Sequence, residues 1–179
     1  MYPPFQKKMD KLNSDLSVLL KKLEQYSDEQ LNAKPSEEVW SVLQGLQHLM
    51  LVEEQILKYI KKKMSFNPTL EKTNFSVKLR RFLLVCFLRM PFKFKAPKGV
   101  GEENFPRVSS LKEVAEKWGK LRKELAAFLE AQSENLRGKI VYRHPLSGPM
   151  TLKDLLDFYD VHFVRHRKQL EKVLQSFSV

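Results

Sequence analysis

Four stretches of the chain repeat apolar residues at the spacing of an amphipathic α-helix, and this pattern limits the fold more than any other feature. Residues three and four apart line one face of a helix, and an apolar face must be buried. No segment shows the alternation of a convincing strand. The sequence therefore predicts an all-α protein built as a four-helix bundle. The expected helices span residues 5–25, 36–63, 111–131 and 151–176.

Capping signals indicate where two of these helices begin. Ser36 precedes Glu37 and Glu38, so we expect it to cap the second helix, with two carboxylates near the positive end of the helix dipole. Thr151 is followed three residues later by Asp154, a variant of the capping box, and predicts the start of the fourth helix. By helical angle, Asp154 falls outside the apolar arc of that helix, so we expect it on the polar side.

The stretch from Met64 to Arg107 is too long for a plain connection between two bundle helices. Its centre, Phe75 to Lys95, mixes apolar with basic residues, and Pro91 and Pro97 break it. An extra helix packed against the bundle is the simplest interpretation. The alternatives are a lid over a pocket, a dimer contact and a membrane-surface helix. Because the four bundle helices already have complete stripes, we predict a homodimer contact or a lid and favour the homodimer.

Composition favours one domain covering residues 1–179. A chain of 179 residues with 42% hydrophobic content can bury a full core, and nothing marks a second domain. Cys86 is the only cysteine, which excludes an intramolecular disulfide and a cysteine-based zinc cluster. The N-terminal stretch has no apolar signal core, and no run approaches the ~20 apolar residues that cross a bilayer. We therefore expect a cytoplasmic protein.

The net charge of +11 raises the question of an acidic partner. Basic surfaces bind nucleic acid by releasing counterions from the phosphates. However, the basic residues are spread along the whole chain, without an RNA-binding motif or interleaved aromatics on a predicted sheet. We therefore do not expect a nucleic-acid partner, and an attraction to acidic small molecules fits the charge at least as well.

Three of the four histidines fall where two helices can direct them at one metal ion. His162 and His166 are four residues apart in the last helix, so one face presents both imidazoles, one turn apart. That face carries the apolar residues, and buried imidazoles need hydrogen bonds or a metal to offset their desolvation. His48 lies at the edge of the apolar stripe of the second helix. The three side chains are therefore predicted to form a metal site.

Three histidine ligands leave at least one coordination position for water or substrate, which is typical of a catalytic site rather than a structural one. Zn²⁺ is favoured because imidazole suits it, and Ni²⁺ also fits. An ion held there can lower the pKa of bound water toward ~7 or activate a thiolate. Since protonated imidazole cannot bind metal, affinity is expected to decline as the pH falls through the histidine range near ~6.5.

Three further residues are candidates for catalysis. His144, followed by Pro145, could be a fourth ligand or a proton shuttle, although a shaped loop leading into the fourth helix explains it more simply. Glu53 could be a general base or a hydrogen-bond partner of a ligand. Tyr159 could line the pocket, although a core tyrosine is the default interpretation.

Three segments of the chain stand out together and in sequence order: Trp40–Leu49, His144–Thr151 and His162–Gln169. They resemble the three signature segments of the DinB-like superfamily of metal-dependent enzymes. The resemblance implies an up-down-down-up four-helix bundle and assigns the metal triad to His48, His162 and His166. It also implies that a low-molecular-weight thiol could serve as cofactor, as in some members of the superfamily.

Three functions are consistent with these observations. The first, which we favour, is a metal-dependent hydrolase that acts on a small molecule with metal-activated water. The second is a thiol-dependent S-transferase or isomerase with a metal-activated thiolate. The third is a non-catalytic metal-binding or interaction module. No paired acid and base stands out beside the triad, so the reaction stays open at the level of sequence.

Overall fold

The computed structural model describes residues 1–90, 99–106 and 108–177. Within these ranges the chain is mainly helical, with a short 3₁₀ turn at Glu102–Asn104 and one β-hairpin. The helices are α1 (Pro3–Leu23), α2 (Asp28–Asn32), α3 (Val42–Met64), α4 (Phe75–Arg89), α5 (Leu111–Gln132) and α6 (Leu152–Gln175), and the strands are β1 (Tyr142–His144) and β2 (Gly148–Met150).

The four long helices, α1, α3, α5 and α6, contact one another in a closed ring. Helix α3 packs against α5 and α6, and α1 packs against the same two helices. The large side chains of Trp118 and Phe163 fill the interior, at 0% and 1% exposure. The predicted all-helical class is confirmed, and so is a helical insertion between the second and third long helices, which is α4. The up-down-down-up order of helix directions stays a prediction.

The second long helix begins later than expected. Ser41, not Ser36, is its N-cap, and the Ser41 hydroxyl accepts a hydrogen bond from the backbone N–H of Gln44. The Gln44 side chain accepts one from the backbone N–H of Ser41 in return, which completes a capping box. Trp40 therefore precedes the helix. A reciprocal box satisfies two backbone donors, whereas a carboxylate in the first turn adds only a dipole interaction, so Ser41 is the stronger cap.

The expectation that the chain forms no strands was wrong. β1 and β2 pair as an antiparallel hairpin, with His144 opposite Gly148 and Tyr142 opposite Met150. Gly148 has a φ of 74°, a left-handed conformation that glycine adopts without strain. Each strand has only three residues, too few for an alternating pattern to be recognised.

Asp154 is buried rather than on a polar surface, at 5% exposure. Its carboxylate accepts hydrogen bonds from the backbone N–H and the hydroxyl of Thr151, so the predicted cap of the last helix is confirmed. Arg81 of α4 also pairs with Asp154, at 3.3 Å, because α4 packs across α6 and β2. The predicted breaks at Pro91 and Pro97 lie outside the described residues. No helix in the described part of the chain is long and apolar enough to cross a membrane.

Candidate metal centre

The three histidines predicted from sequence come together between α3 and α6. His162 and His166 project from the same face of α6, and His48 projects from α3. Gly45, one turn before His48, allows these two helices to approach closely, because a Cβ atom there would overlap the side chain of Leu170. A glycine at this contact therefore helps to place the imidazole of α3 against the two of α6.

The distances between the ring nitrogens suit a metal ion. One ligand nitrogen from each histidine lies within 4.8 Å of the others, and the Nε2 atoms of His48 and His162 are 3.3 Å apart. Two nitrogens bound to Zn²⁺ at 2.0–2.1 Å with a tetrahedral angle would be about 3.4 Å apart. The Nε2 atoms of His48 and His162 already have this spacing, and a ring nitrogen of His166 lies within 4.8 Å of the other two ligand nitrogens. His48, His162 and His166 could thus hold one ion.

A backbone carbonyl fixes the orientation of the His48 ring. The Nδ1–H of His48 donates a hydrogen bond of 2.7 Å to the carbonyl oxygen of Val100. The proton of the neutral ring is thereby held on Nδ1, so the lone pair lies on Nε2, the atom that faces His162. A metal-binding histidine commonly has such a partner on its other nitrogen. This geometry therefore leaves Nε2 of His48 available as a ligand atom for a metal ion.

Burial keeps all three rings in the neutral form that binds metal. The side chains of His48, His162 and His166 are 4%, 8% and 9% exposed. Desolvation lowers the pKa of His48, and desolvation together with the neighbouring histidines lowers the pKa of His162 well below its ordinary value. Desolvation likewise lowers the pKa of His166 to about 3. The rings are therefore in the neutral form at neutral pH, and the decline of metal affinity on acidification stays a prediction.

Aromatic rings surround the three histidines. Phe158 stacks on His162, with ring centroids 5.0 Å apart and planes at 18°. Trp40 lies 5.1 Å from the His48 ring, and Phe105 meets Trp40 edge to face at 5.4 Å. These apolar walls hold the imidazoles in place and reduce the access of water, which strengthens electrostatic interactions inside the site.

His144 lies beside this cluster but its Nδ1 is already used. The ring centroids of His144 and Phe158 are 4.8 Å apart, and Phe158 also stacks on His162. Its Nδ1 accepts hydrogen bonds from the backbone N–H groups of Leu146 and Ser147, at 3.1 and 3.3 Å. The neutral ring therefore carries its proton on Nε2, and desolvation lowers its pKa to about 4. This geometry supports the structural interpretation of His144 as the residue that shapes the hairpin turn.

Glu53 belongs to a buried ion pair with α5. Its Oε1 accepts a hydrogen bond of 2.6 Å from Nη2 of Arg122, and its Oε2 accepts one of 3.0 Å from the indole N–H of Trp118. Glu53 and Arg122 are each 4% exposed. Burial raises the pKa of the Glu53 carboxyl, whereas the charge of Arg122 and the indole hydrogen bond act in the opposite direction. Both carboxylate oxygens are therefore hydrogen-bonded to side chains of α5.

Tyr159 is a core residue at 3% exposure. Burial, and to a smaller extent the charge of Glu53, raises the pKa of Tyr159 well above its ordinary value.

Two residues of the site, Arg122 and Val100, were not predicted from the sequence. The position of Arg122 on the buried stripe of α5, four residues after Trp118, was a readable signal. The carbonyl of Val100 gives no such signal, because any residue type supplies that atom.

The fold and this cluster define a mainly helical protein with a three-histidine site that could hold a metal ion. The sequence model of the DinB superfamily matches residues 11–170, and the chain belongs to that superfamily. The chain is also similar to the uncharacterized protein YuaE of Bacillus subtilis (strain 168), with 26% identity over 153 residues, which cover 85% of this chain and 88% of that protein. No solved structure matches the chain.

Proposed function

We propose that this protein is a metal-dependent enzyme that acts on a small molecule, with one divalent ion held by His48, His162 and His166. The observation that carries the proposal is the convergence of three neutral imidazole nitrogens within 4.8 Å, with the His48 ring oriented by Val100. Zn²⁺ is the favoured ion and Ni²⁺ the alternative, because imidazole ligands suit both.

A bound divalent ion would supply a Lewis acid that lowers the pKa of a water or thiol in its open coordination position. The ligand set is entirely neutral, so it leaves the charge of the ion uncompensated. An anionic ligand from solution is therefore favoured in that position. The protein contributes the fixed ring orientations and the aromatic walls of Trp40 and Phe158, which limit access to small molecules.

The two candidate bases are already engaged in hydrogen bonds. Both oxygens of Glu53 are hydrogen-bonded to α5, and the Nδ1 of His144 is occupied by two backbone N–H groups. A bound ion would lower the pKa of a water or a thiol in its open coordination position, so either group could lose its proton to solvent without a protein base. Hydrolysis by metal-activated water is therefore the first candidate reaction. A thiol-dependent transfer or isomerisation is the alternative, because the neutral ligand set favours an anionic ligand such as a thiolate.

Metal stoichiometry tests the site. Purified protein reconstituted with Zn²⁺ and then desalted should retain about one ion per chain by elemental analysis. His48→Ala, His162→Ala and His166→Ala should each lose most of this metal. His144→Ala removes a nearby histidine outside the cluster and should retain it. Equal metal content in the parent and the three triad variants would show that the assignment is wrong.

Turnover tests the reaction. The metal-loaded protein should be assayed with thiol and electrophile pairs and, separately, with ester and amide substrates. Thiol-dependent turnover that is lost in His162→Ala supports the transfer reaction. Turnover of esters or amides without thiol would favour the hydrolase instead. Stoichiometric metal without turnover of either class would support a non-catalytic metal-binding module.

A further inference from the structure

Helix α4 has two apolar faces, and only one of them is buried. Val77, Leu84 and Leu88 are 4%, 5% and 8% exposed and face the contacts of α4 with α6 and β2. At about 100° per residue, the large apolar residues that are exposed fall within one arc of about 100° on the opposite side. They are Phe75, Leu79, Phe82, Leu83 and the C-cap Met90, and each is at least 40% exposed.

Positive charge flanks this exposed stripe. The sequence contains no Asp or Glu between Glu71 and Glu102, whereas α4 itself contains four Lys or Arg residues. Arg81 turns inward to the carboxylates of Asp154 and Asp157. Arg80 and Arg89 are exposed, and by helical angle they lie on opposite flanks of the stripe. The outer surface of α4 is therefore apolar along its middle and basic along both sides.

This pattern selects among the possible occupants of the surface. A symmetric dimer brings the same patch of two copies together, so Arg80 and Arg89 would meet a second all-basic helix. A nucleic acid would neutralise the arginines but would leave the leucines and the methionine of the stripe without an apolar partner. The surface of an anionic bilayer offers negative headgroups beside acyl chains, which matches both features.

We propose that the outer face of α4 docks onto anionic phospholipid membranes, with the helix lying in the plane of the headgroups. The exposed phenyl rings and leucines enter the boundary between headgroups and acyl chains, and the two arginines bind phosphate groups. Arg165 of α6 donates hydrogen bonds of 3.1 and 2.8 Å to the carbonyl oxygens of Leu88 and Met90. The end of α4 is thereby attached to the helix that carries two of the candidate metal ligands.

Flotation with vesicles tests this proposal. The protein should float with phosphatidylcholine vesicles that contain about 30% phosphatidylglycerol and should not float with pure phosphatidylcholine. At about 1 kcal/mol for each arginine near the surface, Arg80→Gln with Arg89→Gln should reduce partitioning about 30-fold. The variant with Lys22→Gln and Lys58→Gln has the same net charge as the variant with Arg80→Gln and Arg89→Gln, but it should bind vesicles as the parent does. This pair of variants separates a site on α4 from a general effect of the charge.

A second pair of variants tests the apolar stripe. Phe82→Ser with Leu83→Ser changes two exposed residues, so it should abolish flotation while the unfolding temperature is retained. Val18→Ser is the matched control on α1, because Val18 is 65% exposed. The proposal is overturned if anionic vesicles do not bind, or if all four variants bind equally. It is also overturned if light scattering shows a dimer that Phe82→Ser with Leu83→Ser converts to a monomer, or if single-stranded DNA binds more tightly and displaces the vesicles.

Discussion

The buried pair of Glu53 and Arg122 gives the sharpest test of how the interior is built. Both side chains are 4% exposed and their charged atoms are 2.6 Å apart. The Nε and Nη1 atoms of Arg122 have no hydrogen-bond partner among the described residues, so Glu53 is the main compensation of its charge. Removing one partner of such a pair typically costs about 3–5 kcal/mol, because the other charge stays buried.

Glu53→Gln and Arg122→Met should each lower the free energy of unfolding by about this amount. For a chain of this length, the midpoint of thermal unfolding should fall by about 6–20 °C. The double variant removes both charges and retains an oxygen that can accept the hydrogen bond from Trp118. Its loss should be at least about 2 kcal/mol smaller than the sum of the single losses.

Thermal and urea unfolding of the four proteins measure this cycle. Glu54→Gln is the matched control, because Glu54 lies on the exposed side of α3 and pairs with Lys58 at the surface. Its effect should stay within about 0.5 kcal/mol. Metal content should be unchanged in every variant below its unfolding temperature. If Glu53→Gln retains full stability but abolishes turnover, Glu53 acts in catalysis and the structural interpretation is refuted.

Two further predictions concern the histidines and the helix contact that places them. In the metal-free protein the pKa values of His144 and His166 lie below the unfolded value near ~6.5. The unfolded chain therefore binds more protons than the folded protein as the pH falls below this value. The free energy of unfolding should decrease by up to about 1.4 kcal/mol for each histidine and each unit of decrease in pH. Urea unfolding at about pH 7 and about pH 5 measures this slope; equal stability at both, or the same slope in His144→Gln, would contradict it. Gly45→Val should cost about 1–3 kcal/mol and weaken Zn²⁺ binding, because the new side chain separates α3 from α6 at Leu170. Titration calorimetry measures the affinity for Zn²⁺. Adding Leu170→Ala to the Gly45→Val variant should restore part of this affinity. An unchanged affinity in Gly45→Val would count against the close contact between α3 and α6.

The sequence predicted structural features correctly where all the necessary residues lie within one helix. The period of the apolar residues located α1, α3, α5 and α6, and the spacing of His162 and His166 placed both rings on one buried face. The cap at Thr151 was predicted from its neighbour Asp154 because a capping box involves only residues three apart. The predicted start of α3 was wrong although its signal was local. Ser41 is followed three residues later by Gln44, as a capping box requires, whereas Ser36 is followed by Val39.

The sequence by itself determined the helical class, the insertion of α4 and the residue types that could bind a metal. These features depend on periodicity and spacing within about 20 residues, which a single helix encodes. Only the tertiary structure decided the rest. It paired Glu53 with Arg122, oriented His48 against the carbonyl of Val100, and left one apolar face of α4 exposed. Each of these depends on contacts between residues far apart in the chain, and many different pairings satisfy the same local pattern.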